Sequence, residues 1–464
     1  MADIIENKAK FDDFRAKYPV FSYDSYSYEK AGKALILSYM YSFGEGDTIT
    51  TNIDVVLPEE INDEDLKKNE DYILRIGIIN ALSYWKAYCS PVFQIKCGSL
   101  SLAEISWWKN VWFDGVGEFR YRNGLMDVNK NDWVKFICDI DEGNSKHDFG
   151  NLSGNLIGFT GGKDSTLTLG LIKNSNKKEN EVFTIHEPSE SVKKVREVLG
   201  VSDWKETVVI RKMHGDLLEK NKEGALNGHT PFSIVIGFLG LFSASLRNKK
   251  YLIVSNEASA NEVSVPGTDI NHQYSKSFEF EKSFESYNKM VWPAGPSYFS
   301  ILRPLTEVGI ISLLQKYEST MPYITSCNTV SRTQLWCRKC PKCLFSFLMF
   351  SAVWDIKFTT EIFGVNMFEN SGNLGTLLEL TGLTLSKPFE CVGTTGECLA
   401  ALAVIYEKEE ALLDPLLKAF YDAHKDILPL PGKFKELVCE WNEHKLPEQF
   451  ENIIKKSQAQ ICHE

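Results

Sequence analysis

An excess of basic charge is missing from this chain: 51 lysines and arginines face 62 aspartates and glutamates, a formal net charge of -11. That excludes the broad basic face with which a protein coats nucleic acid, although a local basic pocket for a phosphorylated ligand stays open. Long hydrophobic runs are missing too. The most apolar stretch, Phe232–Leu246, is too short to cross a bilayer comfortably and is interrupted by Ser233 and Ser243, so it is expected to be a buried helix, with no insertion into a membrane. The opening residues Met1-Ala2-Asp3-Ile4-Ile5-Glu6 have neither the basic stretch nor the apolar run of an export signal. Together with an odd number of cysteines, 11, this predicts a cytoplasmic protein with reduced thiols. Clustered cysteines are then read as metal or catalytic groups before disulfides. Repeats and low-complexity segments are absent as well.

What is present is the composition of a folded chain, 43% hydrophobic and 12% aromatic. A length of 464 residues suggests about three domain-sized units. Residues 1–150 read as a mixed α+β domain suited to recognising a substrate. Residues 34–39 and 92–97 are strand-like, and residues 71–88 carry Ile73, Ile76, Ile79 and Leu82 on one helical face. Residues 151–345 alternate strands (156–159, 181–186, 207–210, 251–254 and 298–302) with helices such as 191–199. That alternation predicts an α/β unit with a doubly wound parallel sheet, covered on both faces, whose ligands gather beyond the C-terminal strand ends. Residues 346–464 read as mostly helical, with apolar stripes over 397–407 and 412–425 and a last tail set off by Pro429 and Pro431.

The turn after the first of these strands is Thr160-Gly161-Gly162-Lys163-Asp164-Ser165, followed by an apolar helix. Its glycines let backbone N–H groups approach phosphate oxygens, and the helix N-terminus favours the same anion. Thr160 and Ser165 add hydroxyl donors and Lys163 a positive charge. Asp164 would repel a triphosphate unless Mg²⁺ lies between them. A Walker loop does not fit, because Asp164 follows the lysine and the earlier glycine, Gly158, is at the wrong spacing. The hexapeptide resembles the loop of PP-loop ATP pyrophosphatases. That resemblance implies binding of ATP with Mg²⁺, cleavage to AMP and pyrophosphate, and roles in the ATP site for residues 160–165 and for Ile185, Asn256 and Glu257.

Cys337, Cys340 and Cys343 stand at C-x-x-C-x-x-C spacing, with nine residues between Cys327 and Cys337. Such turns present sulfurs to one tetrahedral ion; Zn²⁺ is placed ahead of a 4Fe–4S cluster, and both ahead of free thiols. The pattern is similar to the zinc site of 7-cyano-7-deazaguanine synthases, with the first gap one residue longer. A synthase of that kind, and a defence or sensing protein that kept the fold, stand as alternative readings of function.

Polar runs follow the strand ending at Val254: residues 255–262, and then Asn271-His272-Gln273-Tyr274-Ser275-Lys276-Ser277. Here His272, Lys276 and Glu257 can supply acid, base and phosphate contacts. With residues 81–87, Trp107-Trp108, residues 115–119, the cysteine cluster and Pro388-Phe389-Glu390-Cys391-Val392-Gly393-Thr394, these runs resemble ATP-dependent UDP-N-acetylmuramoyl-L-alanyl-L-glutamate epimerases of the MurL type. The resemblance implies a nucleotide-sugar peptide substrate in peptidoglycan precursor synthesis. It also implies conversion of its terminal L-glutamyl residue to D-glutamyl through carboxylate adenylation. Lys163 and Asp164 are then expected to serve activation. Cys391 and His272 are the candidates for moving the proton, with Cys398 and His229 behind them, and Tyr84, Trp85 and Lys86 are candidates for cradling the nucleotide-sugar. Oligomeric state is not legible.

Overall fold

The computed structural model describes residues 4–44, 46–143, 149–175, 179–213, 215–327, 336–408 and 414–462. Ten strands occur among them: β1 (Val20–Ala31), β2 (Ala34–Ser42), β3 (Thr48–Val56), β4 (Val92–Leu100), β5 (Lys135–Ile140), β6 (Asn155–Gly158), β7 (Asn180–Ile185), β8 (Glu206–Lys212), β9 (Tyr251–Val254) and β10 (Ser297–Ser300). All ten join one mixed sheet in the order β10-β9-β6-β7-β8-β3-β2-β1-β4-β5.

Side-chain alternation explains the antiparallel centre. On β2, Leu35, Leu37, Tyr39 and Tyr41 are buried, while Ser38, Met40 and Ser42 between them are not. This is the pattern of a sheet packed on one face. A two-residue turn at Gly32-Lys33 joins β1 to β2 by pairing Ala31 with Ala34, with Gly32 at φ +61. β3 then pairs antiparallel with β8, setting Val55 opposite Val209. Residue 150 therefore lies between strands of a sheet to which both sides contribute.

The five strands β10-β9-β6-β7-β8 are mutually parallel. They bury alternate residues on opposite faces. Leu156, Phe183, Leu252 and Tyr298 belong to the core shared with α1 (Glu70–Trp85), α2 (Leu102–Asp114), α5 (Phe232–Leu246) and α6 (Phe278–Val291). Ile157, Val182, Ile253 and Phe299 join the core of α3 (Lys163–Ile172), α4 (Glu190–Leu199), α7 (Glu307–Leu314), α8 (Pro341–Val353) and α9 (Thr395–Glu407). The chain runs from β6 outward to β8, then returns to the other side of β6 for β9 and β10. Residues after β6 thus stand at the C-terminal strand edge, where the winding reverses and where sheets of this kind bind their ligands.

α5 spans the predicted residues and is buried; no helix among the described residues is long and apolar enough to cross a membrane. The helix expected over 412–425 forms as α10 (Pro415–His424), residues 412 and 413 lying outside the described ones. α11 (Gly432–Cys439) and α12 (Glu448–Cys462) pack together and bring Cys439 into a disulfide with Cys462, Cα atoms 5.7 Å apart. This corrects the expectation that the thiols stand reduced. Sequence spacing gave no sign of it, because contact between the two helices, not proximity in the chain, pairs them.

β1, β3 and β5 were not expected from sequence. The first two alternate in hydrophobicity, but serine, threonine and aspartate on their outer positions hide the pattern.

The close seat of α1 on β1 sets one test. A Cβ at Gly77 would lie 2.1 Å from the hydroxyl oxygen and 2.4 Å from Cζ of Tyr23, a fully buried side chain. Helix propensity alone would favour Gly77→Ala by about 1 kcal/mol. Overpacking a rigid core costs about 1–3 kcal/mol, and a clash this deep belongs at the upper end. We expect Gly77→Ala to lower unfolding free energy by at least about 1 kcal/mol in urea titration; a gain would show the core yielding there.

Candidate active site

The turn after β6 has the shape an anion site needs. Gly161 takes φ +77, and a Cβ there would meet Val192 Cγ2 at 2.7 Å, so glycine is required. Gly162 starts α3 with no side-chain cap on the helix, and Thr160 is exposed at the edge. Glycine at the N-cap leaves the start of α3 without a cap from its own chain end, which suits a phosphate; Lys163 N–H meets Ser326 Oγ at 3.3 Å. Ser165 Oγ accepts from Thr160 N–H at 3.3 Å and donates to Gly162 O at 3.2 Å, holding the turn closed. Ile185 ends β7 half-buried, and Asn256 is buried beyond β9, its side chain 3.4 Å from Tyr298 Oη.

Lys163 does not project as a free cation. Its ammonium is buried between Asp164 Oδ1 and Glu307 Oε2, each at 2.5 Å. Burial opposes its charge, but the two carboxylates outweigh it and raise its pKa. Glu257 is buried nearby; burial, then Asp164, push its carboxyl up. Burial also raises Glu307, and Asp164, Glu257 and Glu397 add to this against the opposing Lys163. The carboxyl groups of Asp164, Glu257 and Glu307 outnumber the local lysines, Lys163 and Lys276. Asp164 and Glu257, repelling one another, are oxygen donors of the kind that a hard divalent cation gathers.

Beyond Glu257 lies a second set. Lys276 Nζ is 3.1 Å from Cys391 Sγ, and His272 is hydrogen-bonded to the same sulfur. His272 Nδ1 lies 2.5 Å from Glu118 Oε2, and Glu118 pairs with Arg122 at 2.6 Å. Burial disfavours a thiolate at Cys391, yet Lys276, then His272 and Lys342, hold its pKa well below the ordinary thiol value. Burial likewise disfavours an imidazolium at His272, but Cys391 and Glu118 lift it to about 9. His229, whose ring centroid is 4.4 Å from that of His272, is pressed down to about 3 by burial and then by His272. At neutral pH the set therefore holds a thiolate, an imidazolium, an ammonium and a neutral imidazole, a combination suited to proton transfer.

Arg303 holds these pieces in register. Fully buried, it donates to Glu281 Oε2 at 2.9 Å, to Glu257 O at 2.5 Å and to Lys276 O at 2.6 Å. The segment bearing Cys391 is fixed by Lys387, which pairs with Glu262 and donates to Gly393 O, and by Gln273 Nε2 donating to Val392 O at 3.3 Å.

The four expected metal cysteines also meet. Cys327 and Cys340 sulfurs are 3.8 Å apart, those of Cys337 and Cys343 are 3.7 Å apart, and all four lie within 4.8 Å of one another. Metal–sulfur bonds of about 2.3 Å give a tetrahedral edge of about 3.8 Å, so one zinc-sized ion fits. This cluster adjoins the phosphate turn: Thr325 N–H donates to Gly161 O, and Ser326 Oγ accepts from Lys163 N–H.

The structure thus brings residues 160–165, Glu257, His272 and Cys391 to one edge, with the cysteine cluster beside them. Cys398 is excluded from that edge: it is fully buried in α9, and burial raises its thiol. Tyr84 and Trp85 are core residues, Trp85 donating to Ser90 O, so neither cradles a ligand. Sequence reading missed Glu118, Arg303 and Glu307. The last two follow β10 as the 255–262 run follows β9, and the same rule applied there would have found them.

Comparison with known proteins gives a consistent result. A family model described as the MurL N-terminal domain matches residues 13–301, and one described as the MurL C-terminal domain matches residues 323–430. A UDP-N-acetyl-alpha-D-muramoyl-L-alanyl-L-glutamate epimerase of Xanthomonas oryzae pv. oryzae is 27% identical over 422 residues, covering 89% of this chain and 92% of its own. One of the same name from Micromonospora sp. is 27% identical over 446 residues, covering 94% and 97%. No solved structure matches.

The thiolate is directly testable. Alkylation of Cys391 by iodoacetamide, followed by peptide mass spectrometry, should proceed at pH 7 and stay nearly flat well below about 8.5, the ordinary thiol pKa. Removing the cation in Lys276→Met should slow the pH 7 rate at least about tenfold and move the inflection upward. An unchanged profile in the variant would mean that Lys276 does not hold the thiolate.

Proposed function

This chain belongs to the MurL family, and from that premise we propose that it epimerises the terminal L-glutamyl residue of UDP-MurNAc-L-Ala-L-Glu to D-glutamyl after adenylating its α-carboxylate with ATP. The observation that carries this reading is one edge holding two sets of groups: a glycine turn suited to phosphate, and a thiolate–imidazolium set one side chain beyond it. Glu257 stands between them, coupled electrostatically to both Asp164 and Cys391.

The chemistry explains why both are needed. Beside a free carboxylate, an α-hydrogen is very weakly acidic, because its loss would create a dianion. Attack of that carboxylate on the α-phosphorus of ATP forms an acyl–phosphate bond and expels pyrophosphate. The carbonyl is then neutral and accepts the electron pair left by the proton. In this reading Cys391 thiolate takes the α-proton, the substrate Cα entering between it and His272 in place of their hydrogen bond. The His272 imidazolium, aligned by Glu118, returns a proton from the other side. Water cleaves the adenylate, releasing AMP and the D-glutamyl acid.

Asp164 and Glu257 are the residues that would hold Mg²⁺, whose charge offsets that of the triphosphate. The fold that positions them fits the PP-loop ATP pyrophosphatase reading, with β6 central and the phosphate turn where the winding reverses. Cys327, Cys337, Cys340 and Cys343 would hold structural zinc, which fastens residues 325–327 against the phosphate turn.

Two measurements test this. With ATP, Mg²⁺ and UDP-MurNAc-L-Ala-L-Glu in D₂O, the product should gain one deuteron at glutamate, yield D-Glu on hydrolysis, and appear with AMP. Cys391→Ser should lose deuterium uptake by at least about 100-fold, the scale of general-base catalysis. AMP without deuterium would keep the activation and remove the substrate; neither product would remove both. Separately, elemental analysis of the intact chain should find one zinc per chain, falling in Cys340→Ser; iron with absorbance near about 400 nm would assign a 4Fe–4S cluster instead.

A further inference from the structure

Lys86, buried, and Arg211, half-buried, are two neighbouring cations that pair with no carboxylate among the described residues. Lys86 follows the end of α1 and is 7% exposed; its ammonium donates to the carbonyl of Gly228. Arg211, near the end of β8, donates from Nε to Asn80 Oδ1 and from Nη2 to Ser83 Oγ, each at 2.8 Å. These partners are all neutral. Neither cation forms an ion pair among the described residues, whereas the buried Lys163, Arg75 and Arg303 each do. Buried cations are ordinarily paired, and breaking such pairing is costly.

Further observations point into the same corner. α5 begins at Phe232 with no side-chain cap, so its first N–H groups lack one where the Arg211 guanidinium lies 5.9 Å from the Phe232 ring. Burial, and then Arg211, press Lys86 down to about 8, and the opposing pull of Cys89 and Glu118 does not restore it. The corner is also continuous with the proton-transfer set. Lys86 grips residue 228, the next residue is His229, and the His229 ring lies 4.4 Å from that of His272.

We propose that Lys86, Arg211 and the start of α5 form an oxyanion subsite that binds an anionic group of the substrate, either the γ-carboxylate of the glutamyl residue or the diphosphate of the nucleotide-sugar. The proposal rests on the epimerase reading for the identity of the substrate, but not for the existence of the site. The subsite anchors the end of the substrate remote from ATP, and so decides what is presented to Cys391.

The test uses the full chain with its ATP site filled by α,β-methylene-ATP and Mg²⁺. Binding of UDP-MurNAc-L-Ala-L-Glu is measured by calorimetry for the unaltered protein, Lys86→Met and Arg211→Gln, and thermal shifts are measured with UDP and with glutarate as simple probes. Each variant should weaken substrate binding at least about tenfold while leaving α,β-methylene-ATP affinity unchanged, the loss shrinking at high salt. Loss of the UDP shift in the variants assigns the diphosphate, and loss of the glutarate shift assigns the γ-carboxylate. Arg211→Lys, which keeps the charge, guards against a folding defect and should retain most of the affinity. Turnover by the unaltered chain separately tests the epimerase reading. If it turns over substrate and the variants bind substrate and probes equally well, the subsite is overturned and the function stands. If it is inert, the function falls, and the probe shifts alone decide the subsite.

Discussion

Arg303 is the constraint on which the site depends. A guanidinium removed from water must find acceptors for its fixed fork of donors, and here they come from three places at once: the carboxylate of Glu281 and the backbone carbonyls of Glu257 and Lys276. The loop after β9, the loop before α6 and the loop after β10 are fixed relative to one another by a single side chain. Breaking a buried pair of this kind costs about 3–5 kcal/mol, far more than any surface contact in these loops supplies. Glu257 and Lys276, which face the phosphate turn and Cys391, inherit their positions from it.

Charge then divides the edge into two regions with opposite tasks. Around the phosphate turn carboxylates outnumber the lysines, so in the proposed reaction a divalent cation, and not another lysine, would complete the local field. Around Cys391 the balance reverses: Lys276, Lys342 and the His272 imidazolium surround one thiolate. The proposed activation would use the first region, because a triphosphate must be held without raising its own repulsion. The proposed proton transfer would use the second, because an anionic base works only if its conjugate acid is not favoured too strongly. Glu257, raised by Asp164 and lowered by Lys276, lies where the two fields meet.

Much of this was legible before the structure, and the reasons differ from residue to residue. The phosphate turn is local: its glycines, hydroxyls and following helix lie within one short segment, so spacing suffices. The cysteine cluster is nearly so. Cys391 was reached through its Gly/Thr-rich surroundings and the family resemblance, while its chemistry depends on Lys276 and His272, more than 100 residues away in sequence. Glu118 is farther still, an acid inside an apolar stretch whose partner no periodicity reveals. The same limit explains the sheet. β9 was placed residue for residue because it is buried on both faces and continuously apolar, whereas β3, dressed on one face with threonine, asparagine and aspartate, was missed. The β3–β8 pairing that joins the two halves is a tertiary fact with no local signature.

The cysteine cluster connects these regions more directly than a structural metal site usually would. Cys327 ends a segment whose Thr325 and Ser326 hold the backbone of the phosphate turn, and Lys342, between Cys340 and Cys343, is one of the cations that stabilise the Cys391 thiolate. An ion that draws four sulfurs together therefore sets two distances at once, one to the nucleotide turn and one to the base. Loosening the cluster would relax both: the turn would lose one donor, Thr325 N–H, and one acceptor, Ser326 Oγ, and the thiolate would lose a cation that keeps it ionised. In the proposed reaction a filled cluster would thus keep activation and proton transfer in step although no sulfur in it reaches either one.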